Sequence, residues 1–420
     1  MVVEDRQRPV VVILRQHRVH GEREQVRVAP VGHDDVDGSH SPHPSPSTGT
    51  VLAMVHGTVA DASRWLWRPR GISIGSPKRH HGEAWRPILA TAKGADMSVD
   101  WTTDLLGEPY ERHVIELGDD PDGEGTITAT MVRRAFTGSP RAAVIYVHGF
   151  TDYFFQTAMA EFYAERDVAF YSLDLRKCGR SLRDGHTAHY VSDLAYYDAE
   201  LDESLRIVRE ETGLPVYLAA HSTGGLIVPL WLHRRRRSAG SGDTGIAGVM
   251  LNSPWFDLQG APWMRSVGTQ AIRLAARVRP GLVLTLPEAE AYGSSLHISR
   301  GGEWDYELAW KPLGGFPVTV GWLNAVRRGQ ARLHRGLDIG VPSLVLRSDR
   351  SRIVSRYSEE VETADAVLDV RQIARWAGCL GDEVTSVPIP GARHDVFLSR
   401  KEARDHAYEV LGDWLDRHLP

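Results

Sequence analysis

The chain has 420 residues, with 42% hydrophobic and 25% charged residues and a formal net charge of -5. That length exceeds most single domains, so one catalytic domain with appended or inserted material is the expectation, and the charge gives no reason to expect nucleic acid as a partner. No apolar run approaches the ~18 residues needed to cross a membrane, and Val10–Leu14, followed by Arg15-Gln16-His17-Arg18, is too short for a signal-peptide core. Cys178 and Cys379 show neither metal-ligand nor CxxC spacing and read as reduced thiols of a cytoplasmic protein.

Residues 1–96 contain no Phe, Tyr or Cys, carry eight of the nineteen histidines and have a net charge of +3, against -8 for the remainder. Their apolar runs, Val10–Leu14 and Val51–Val55, are short and isolated. Such a segment buries too little surface to offset the entropy of ordering it. It reads as a disordered tail, a regulatory extension, or non-native sequence upstream of a start at Met97.

From residue 97 to 420 strands and helices alternate. Glu111–Leu117 and Thr126–Phe136 form an opening hairpin across the turn Asp119-Asp120-Pro121-Asp122-Gly123. Ala142–Val147 is apolar throughout, as in a strand covered on both faces. There follow a helix over Phe154–Glu165, a strand over Ala169–Leu175, a helix over Leu194–Glu211 and a strand over Val216–Ala220. A helix then runs from Thr223 to Arg237, before a strand over Gly248–Asn252. This order predicts a doubly wound, mostly parallel α/β sheet. The rhythm breaks between Pro254 and Leu337, which reads as a lid inserted over the strand ends. It resumes with strand Ser343–Arg347, helix Val370–Ala377, strand Val384–Ile389 and helix Lys401–His418.

Three stretches carry chemistry. In Ala219-Ala220-His221-Ser222-Thr223-Gly224-Gly225 a buried strand runs straight into a serine flanked by small residues. A nucleophile on a sharp strand-to-helix turn needs that pattern, because backbone and helix approach closely there. Tyr146-Val147-His148-Gly149-Phe150-Thr151 ends a second buried strand. The amides of Phe150 and Thr223 are the candidate pair of oxyanion donors, with His148 orienting the loop. Asp174-Leu175-Arg176-Lys177-Cys178-Gly179-Arg180-Ser181 is the third stretch.

This third stretch resembles the Asp-x-Arg-Gly-His-Gly-x-Ser loop of α/β-hydrolases, with Lys177-Cys178 in place of Gly-His. Together with the His-Gly strand end, the His-Ser-x-Gly-Gly turn and a late His-Asp pair, it makes residues 140–418 similar to the serine aminopeptidase and monoacylglycerol lipase-like (lysophospholipase-like) branch of that superfamily. The resemblance implies an α/β-hydrolase fold and a serine hydrolase that needs no cofactor or metal.

The general base is assigned to His394, in a loop between the last strand and last helix. Its acid partner should follow strand Ser343–Arg347. Asp349 is nearest, but Asp365-Ala366-Val367-Leu368-Asp369-Val370 resembles the family's acid segment, and Asp365 lies 29 residues before His394, a spacing similar to the family's. Asp365 is preferred, and Asp349 and Asp369 stay open. The set Ser222, His394 and Asp365 suits hydrolysis of a small, lipid-like ester substrate through an acyl-enzyme. An aminopeptidase would need acidic lid residues, for which Glu303, Asp305 and Glu307 are available, and a silent binding protein remains a third reading. Arg234–Arg237 reads as a solvated cluster at a helix C-terminus.

Overall fold

The computed structural model describes residues 12–15, 99–240, 242–260, 267–284 and 290–420. The expectations for the rest of residues 1–96 lie outside this set. Among the described residues ten strands form one sheet: β1 (Val12–Arg15), β2 (Thr102–Thr103), β3 (Tyr110–Asp119), β4 (Thr126–Arg134), β5 (Ala142–Val147), β6 (Val168–Asp174), β7 (Val216–His221), β8 (Ile246–Asn252), β9 (Ser343–Ser348) and β10 (Glu383–Ile389). Their order is β1-β10-β9-β8-β7-β5-β6-β4-β3-β2. From β10 to β6 neighbouring strands are parallel. β2, β3 and β4 add antiparallel strands at one edge and β1 one at the other, paired to β10.

Every residue of β5, β6 and β7 is buried, as their unbroken apolar text requires when helices cover both faces. Alternation decides which face each side chain serves. Ala143, Ile145 and Val147 join a layer that includes Leu201 and Leu205 of α2 (Asp198–Thr212), Leu226 and Leu230 of α3 (Gly224–Ser238) and Ile373 of α7 (Val370–Trp376). Ala142, Val144 and Tyr146 join the other, with Met159 and Tyr163 of α1 (Thr157–Ala164) and Leu411 and Trp414 of α8 (Lys401–His418). Each large apolar side chain so enclosed contributes about 1.5–3 kcal/mol relative to exposure. The expected doubly wound sheet is thus the sheet observed.

Two helices start later than their apolar patterns suggest. α1 begins at Thr157 rather than Phe154, because the Phe154 amide is held by Asp174 Oδ1 at 3.0 Å and the Gln156 side chain reaches Asp395. α2 is preceded by a tight 3-10 turn, Leu194–Tyr197, capped by Asp193. Among the described residues the segment 254–337 contains three helices: α4 (Thr269–Val278), α5 (Glu290–Leu296) and α6 (Val320–Leu333). α6 buries the polar residues Arg327 and Gln330 and includes Gly321 and Gly329, so its inward face does not read as an apolar stripe.

Candidate active site

The site lies where β5, β7, β8 and β9 end. Ser222 follows β7 directly and has φ 51°, a conformation L-residues rarely adopt. Thr151 and Ser253, after β5 and β8, are left-handed too, at φ 52° and 45°. Such strain persists only where surrounding structure over-determines it. Here the Ser222 amide donates to Asn252 O at 3.0 Å, while Ser222 O accepts from Gly225 N at 3.0 Å and Trp255 N at 2.9 Å. The small residues are needed sterically. A β-carbon at Gly149 would lie 2.8 Å from Ser222 Cβ, and one at Gly224 would run into the carbonyl oxygens of Val147 and His148.

His394 Nε2 lies 3.0 Å from Ser222 Oγ, and His394 Nδ1 lies 3.0 Å from Asp365 Oδ2. With Nδ1–H donated to the carboxylate, Nε2 is left bare to accept the serine proton. The other oxygen of Asp365 accepts the amides of Val367 at 2.8 Å and Leu368 at 2.7 Å. Asp365 is brought there by a loop that leaves β9, forms the 3-10 turn Glu359–Thr363 and returns, pairing Asp365 N with Arg350 O and Arg352 N with Asp365 O. The other two candidate acids are occupied elsewhere. Asp349 is exposed and accepts the Gly391 amide. Asp369 caps α7 and pairs with Arg371.

The His394 loop is fixed by its neighbours. Asp395 accepts from Asn252 Nδ2 at 2.6 Å, Gln156 Nε2 at 2.8 Å and its own Phe397 amide. Buried Arg393 pairs with Glu362 and donates to Leu398 O. Asn252, which the sequence reading did not single out, therefore links the Ser222 turn to the His394 loop: its carbonyl holds Ser222 N and its side chain holds Asp395 and the Val396 amide.

The Phe150 and Thr223 amides donate to no protein acceptor among the described residues. His148 braces their loop. Its Nδ1 donates to Gly149 O at 2.7 Å and its Nε2 accepts the Leu175 amide at 3.0 Å, and burial pushes it below the ordinary histidine value. The Asp174–Ser181 loop is structural in this geometry. Arg180 forks onto Asp104 and also pairs with Asp174, Arg176 pairs with Glu200, and Lys177 crosses to Asp120 and Glu124 of the opening hairpin turn. Cys178 is buried with its Sγ 3.1 Å from His189 Nδ1.

The segment 254–337 supplies aromatic walls. Tyr292 meets the His394 ring edge-on, Trp322 lies over Phe150 at 4.1 Å between ring centres, and Trp255 packs on Trp322. Phe316 reaches His189, which itself touches Phe150. Beside this layer an open cleft of about 570 Å³ lies between residues 182–188 and the stretch holding Trp310, Phe316 and Pro317. Of the acidic residues of this segment, Glu303 pairs with Arg404, Asp305 is exposed, and Glu307 accepts the Ala309 amide. Arg234, Arg235 and Arg236 pair with Asp198, Asp202 and Asp338. Among the described residues no group of side chains is arranged to hold a metal ion, and no helix is long and apolar enough to cross a membrane.

Comparison with known proteins adds a family and a fold. Residues 138–400 match the family described as serine aminopeptidase, S33. No curated protein matches the chain. Two solved structures superpose with a TM-score of 0.52 each. One is a soluble variant of monoglyceride lipase from Saccharomyces cerevisiae in complex with a substrate analog, at 15% identity, covering 80% of this chain and 100% of that one. The other is a highly thermostable carboxyl esterase from Bacillus coagulans in complex with glycerol, at 14% identity, covering 74% of this chain and 99% of that one. At such identities the likeness shows the fold alone, and the fold is that of the α/β-hydrolases.

Proposed function

Because the chain belongs to the serine aminopeptidase, S33 family and is a hydrolase of the α/β type, we propose that it cleaves a carboxylic ester through an acyl-enzyme on Ser222. The observation that carries this reading is the unbroken chain of two 3.0 Å contacts from Ser222 Oγ through His394 to Asp365. His394 Nε2 takes the serine proton as Oγ bonds to the ester carbon. The oxyanion of the tetrahedral intermediate sits on the Phe150 and Thr223 amides. Collapse breaks the bond to the leaving oxygen, which receives the proton from His394. Water then repeats the sequence and releases the acid and free serine. Asp365, fixed by two amides, keeps the proton on Nδ1 and balances the imidazolium.

The aminopeptidase reading has less support here. It requires a free carboxylate near Ser222 to hold a substrate ammonium. Glu303 is paired with Arg404, Glu307 accepts the Ala309 amide, Asp305 is exposed, and Asp152, close to the site, is already spent on Lys311 and His221. Both cysteines are free, which supports a reducing compartment, the cytoplasm. The test sets p-nitrophenyl butyrate against aminoacyl p-nitroanilides, with fluorophosphonate labelling as the monitor of the nucleophile. Ester turnover and labelling at Ser222 are expected, and Ser222→Ala should lower kcat by up to ~10⁶-fold. Faster turnover of the aminoacyl amides would replace the ester reading, and an unlabelled, inactive protein would make it a binding protein.

A further inference from the structure

Lys311 lies between α5 and α6, and its side chain is 7% exposed. Its Nζ sits 2.6 Å from Asp152 Oδ1 and 3.5 Å from Thr151 O. Asp152 is 1% exposed and spends its other oxygen, Oδ2, on His221 Nδ1 at 3.0 Å. His221 immediately precedes Ser222, is itself buried, and packs its ring 4.9 Å from that of His394. One line of contacts thus runs from the inserted segment, through two buried charges, to the turn that carries the nucleophile. It also passes through the oxyanion loop, since Thr151 and Asp152 follow Phe150 and Thr151 Oγ1 accepts the Phe316 amide at 2.9 Å.

A buried carboxylate without its cation is strongly disfavoured. Burial alone would raise the Asp152 carboxyl, yet Lys311 and His221 outweigh it and hold it well below the ordinary carboxylate range. Lys311 is the only full positive charge touching Asp152 among the described residues. It reaches that place from a segment packed on the oxyanion loop, with Phe316 on Thr151 and Trp322 on Phe150.

We propose that Lys311 is a positioning residue for the Ser222 centre: by neutralising Asp152 it lets this carboxylate hold His221, and with it the nucleophile turn and the Phe150 loop, in their working arrangement. Seating of the inserted segment and assembly of the nucleophile and oxyanion donors are then one event. Lys311 touches neither Ser222 nor His394 and takes no part in bond making. The proposal rests on the ester reading above.

The test uses the full chain with p-nitrophenyl butyrate, at a temperature where circular dichroism shows each variant folded. Lys311→Met leaves Asp152 buried without its ammonium partner, held by His221 alone. Its kcat is expected to fall ~10²-fold, as misplacement of a reacting geometry does, with KM changed less than about threefold and Ser222 labelling slowed in proportion. Adding Asp152→Asn removes the stranded charge and keeps an acceptor for His221, so the double variant should regain at least about tenfold in kcat. A folded Lys311→Met protein with kcat within about twofold of the parent overturns the proposal. So does a rise in KM at unchanged kcat, which would place Lys311 on the substrate. If Lys311→Met does not fold, the double variant decides alone: kcat within about tenfold of the parent supports the role, and a loss of ~10²-fold or more overturns it. Labelling of the parent at Ser222 is the control on the underlying reading. Its absence means that the ester reading has failed, whereas a labelled parent with an indifferent Lys311→Met variant means that only this inference has.

Discussion

The turn between β7 and α3 and the inserted segment 254–337 meet at Ser222, but they are held by different forces. The turn is packed backbone. Gly149 and Gly224 let main chains approach within side-chain distance, and amide-to-carbonyl bonds from Ser222, Gly225 and Trp255 fix its left-handed residue. The inserted segment adds to the Trp255 and Phe316 amides contacts made by side chains: an ammonium on Asp152 and aromatic rings against Phe150 and His394. Backbone packing constrains which residues can occur, whereas side-chain contacts can be made by many sequences. The first kind of region therefore announces itself in the sequence and the second does not.

The largest expected effect sharpens the first region. Asp365→Asn should leave the protein folded but lower kcat by up to ~10⁴-fold, since an amide favours the wrong histidine tautomer. Asp349→Asn and Asp369→Asn should change kcat less than about threefold. Steady-state rates on one ester compare all three, and the reverse ranking would reassign the acid. Next comes the packing itself. Gly224→Ala drives a methyl into the carbonyls of Val147 and His148, which should cost about 1–3 kcal/mol as overpacking does and be read as a lower midpoint in urea. A similar substitution at Gly268, where a β-carbon meets nothing within 4 Å, should be close to neutral.

The pH dependence of stability separates two sets of buried groups. Burial holds His148, His189, His233 and His334 below the ordinary histidine value. A histidine depressed in the folded state favours folding above its unfolded value near 6.5, and this stability is lost as pH falls toward the folded value. For Asp104, Asp120 and Glu124, burial would raise the carboxyls, but Arg180 and Lys177, with backbone amides, outweigh it. Their contribution is complete above the unfolded carboxylate range near 4 and disappears below it. Melting temperature should therefore fall in two stages, first between pH 7 and 5 and then below about pH 4. A flat profile from 7 to 5 would show that the histidines are not buried neutral.

The smallest expected effect concerns the beginning of the chain. A protein starting at Met97 should fold and keep its rate within about twofold. It would lose β1, a four-residue strand at the sheet edge beside β10, far in the strand order from β7. Loss of soluble protein would show that this edge needs its cover.

Legibility followed the same division of forces. Candidate Ser222 could be singled out because a strand, a turn and small residues must occur together for a nucleophile to stand there, whereas His394 was chosen for its loop between the last strand and last helix and Asp365 for the resemblance of its segment and spacing to the family's. The helices of the insertion escaped notice. α6 turns Arg327 and Gln330 inward, so its buried face shows no apolar stripe, while α4 carries one at Ala271, Leu274, Ala275 and Val278 but leaves Leu274 and Val278 exposed. Asn252, Asp152 and Lys311 were missed for another reason. A buried polar residue whose partners lie far along the chain, 143 residues away from Asn252 to Asp395 and 159 from Asp152 to Lys311, leaves no local pattern to read.

Asn252 has one more consequence. The same residue grips Ser222 through its carbonyl and the neighbour of His394 through its amide group. On the roles proposed above, a displacement of the end of β8 would carry nucleophile and base together, their separation referenced to one common mount, much as two optical elements on a single post stay aligned while the table shakes.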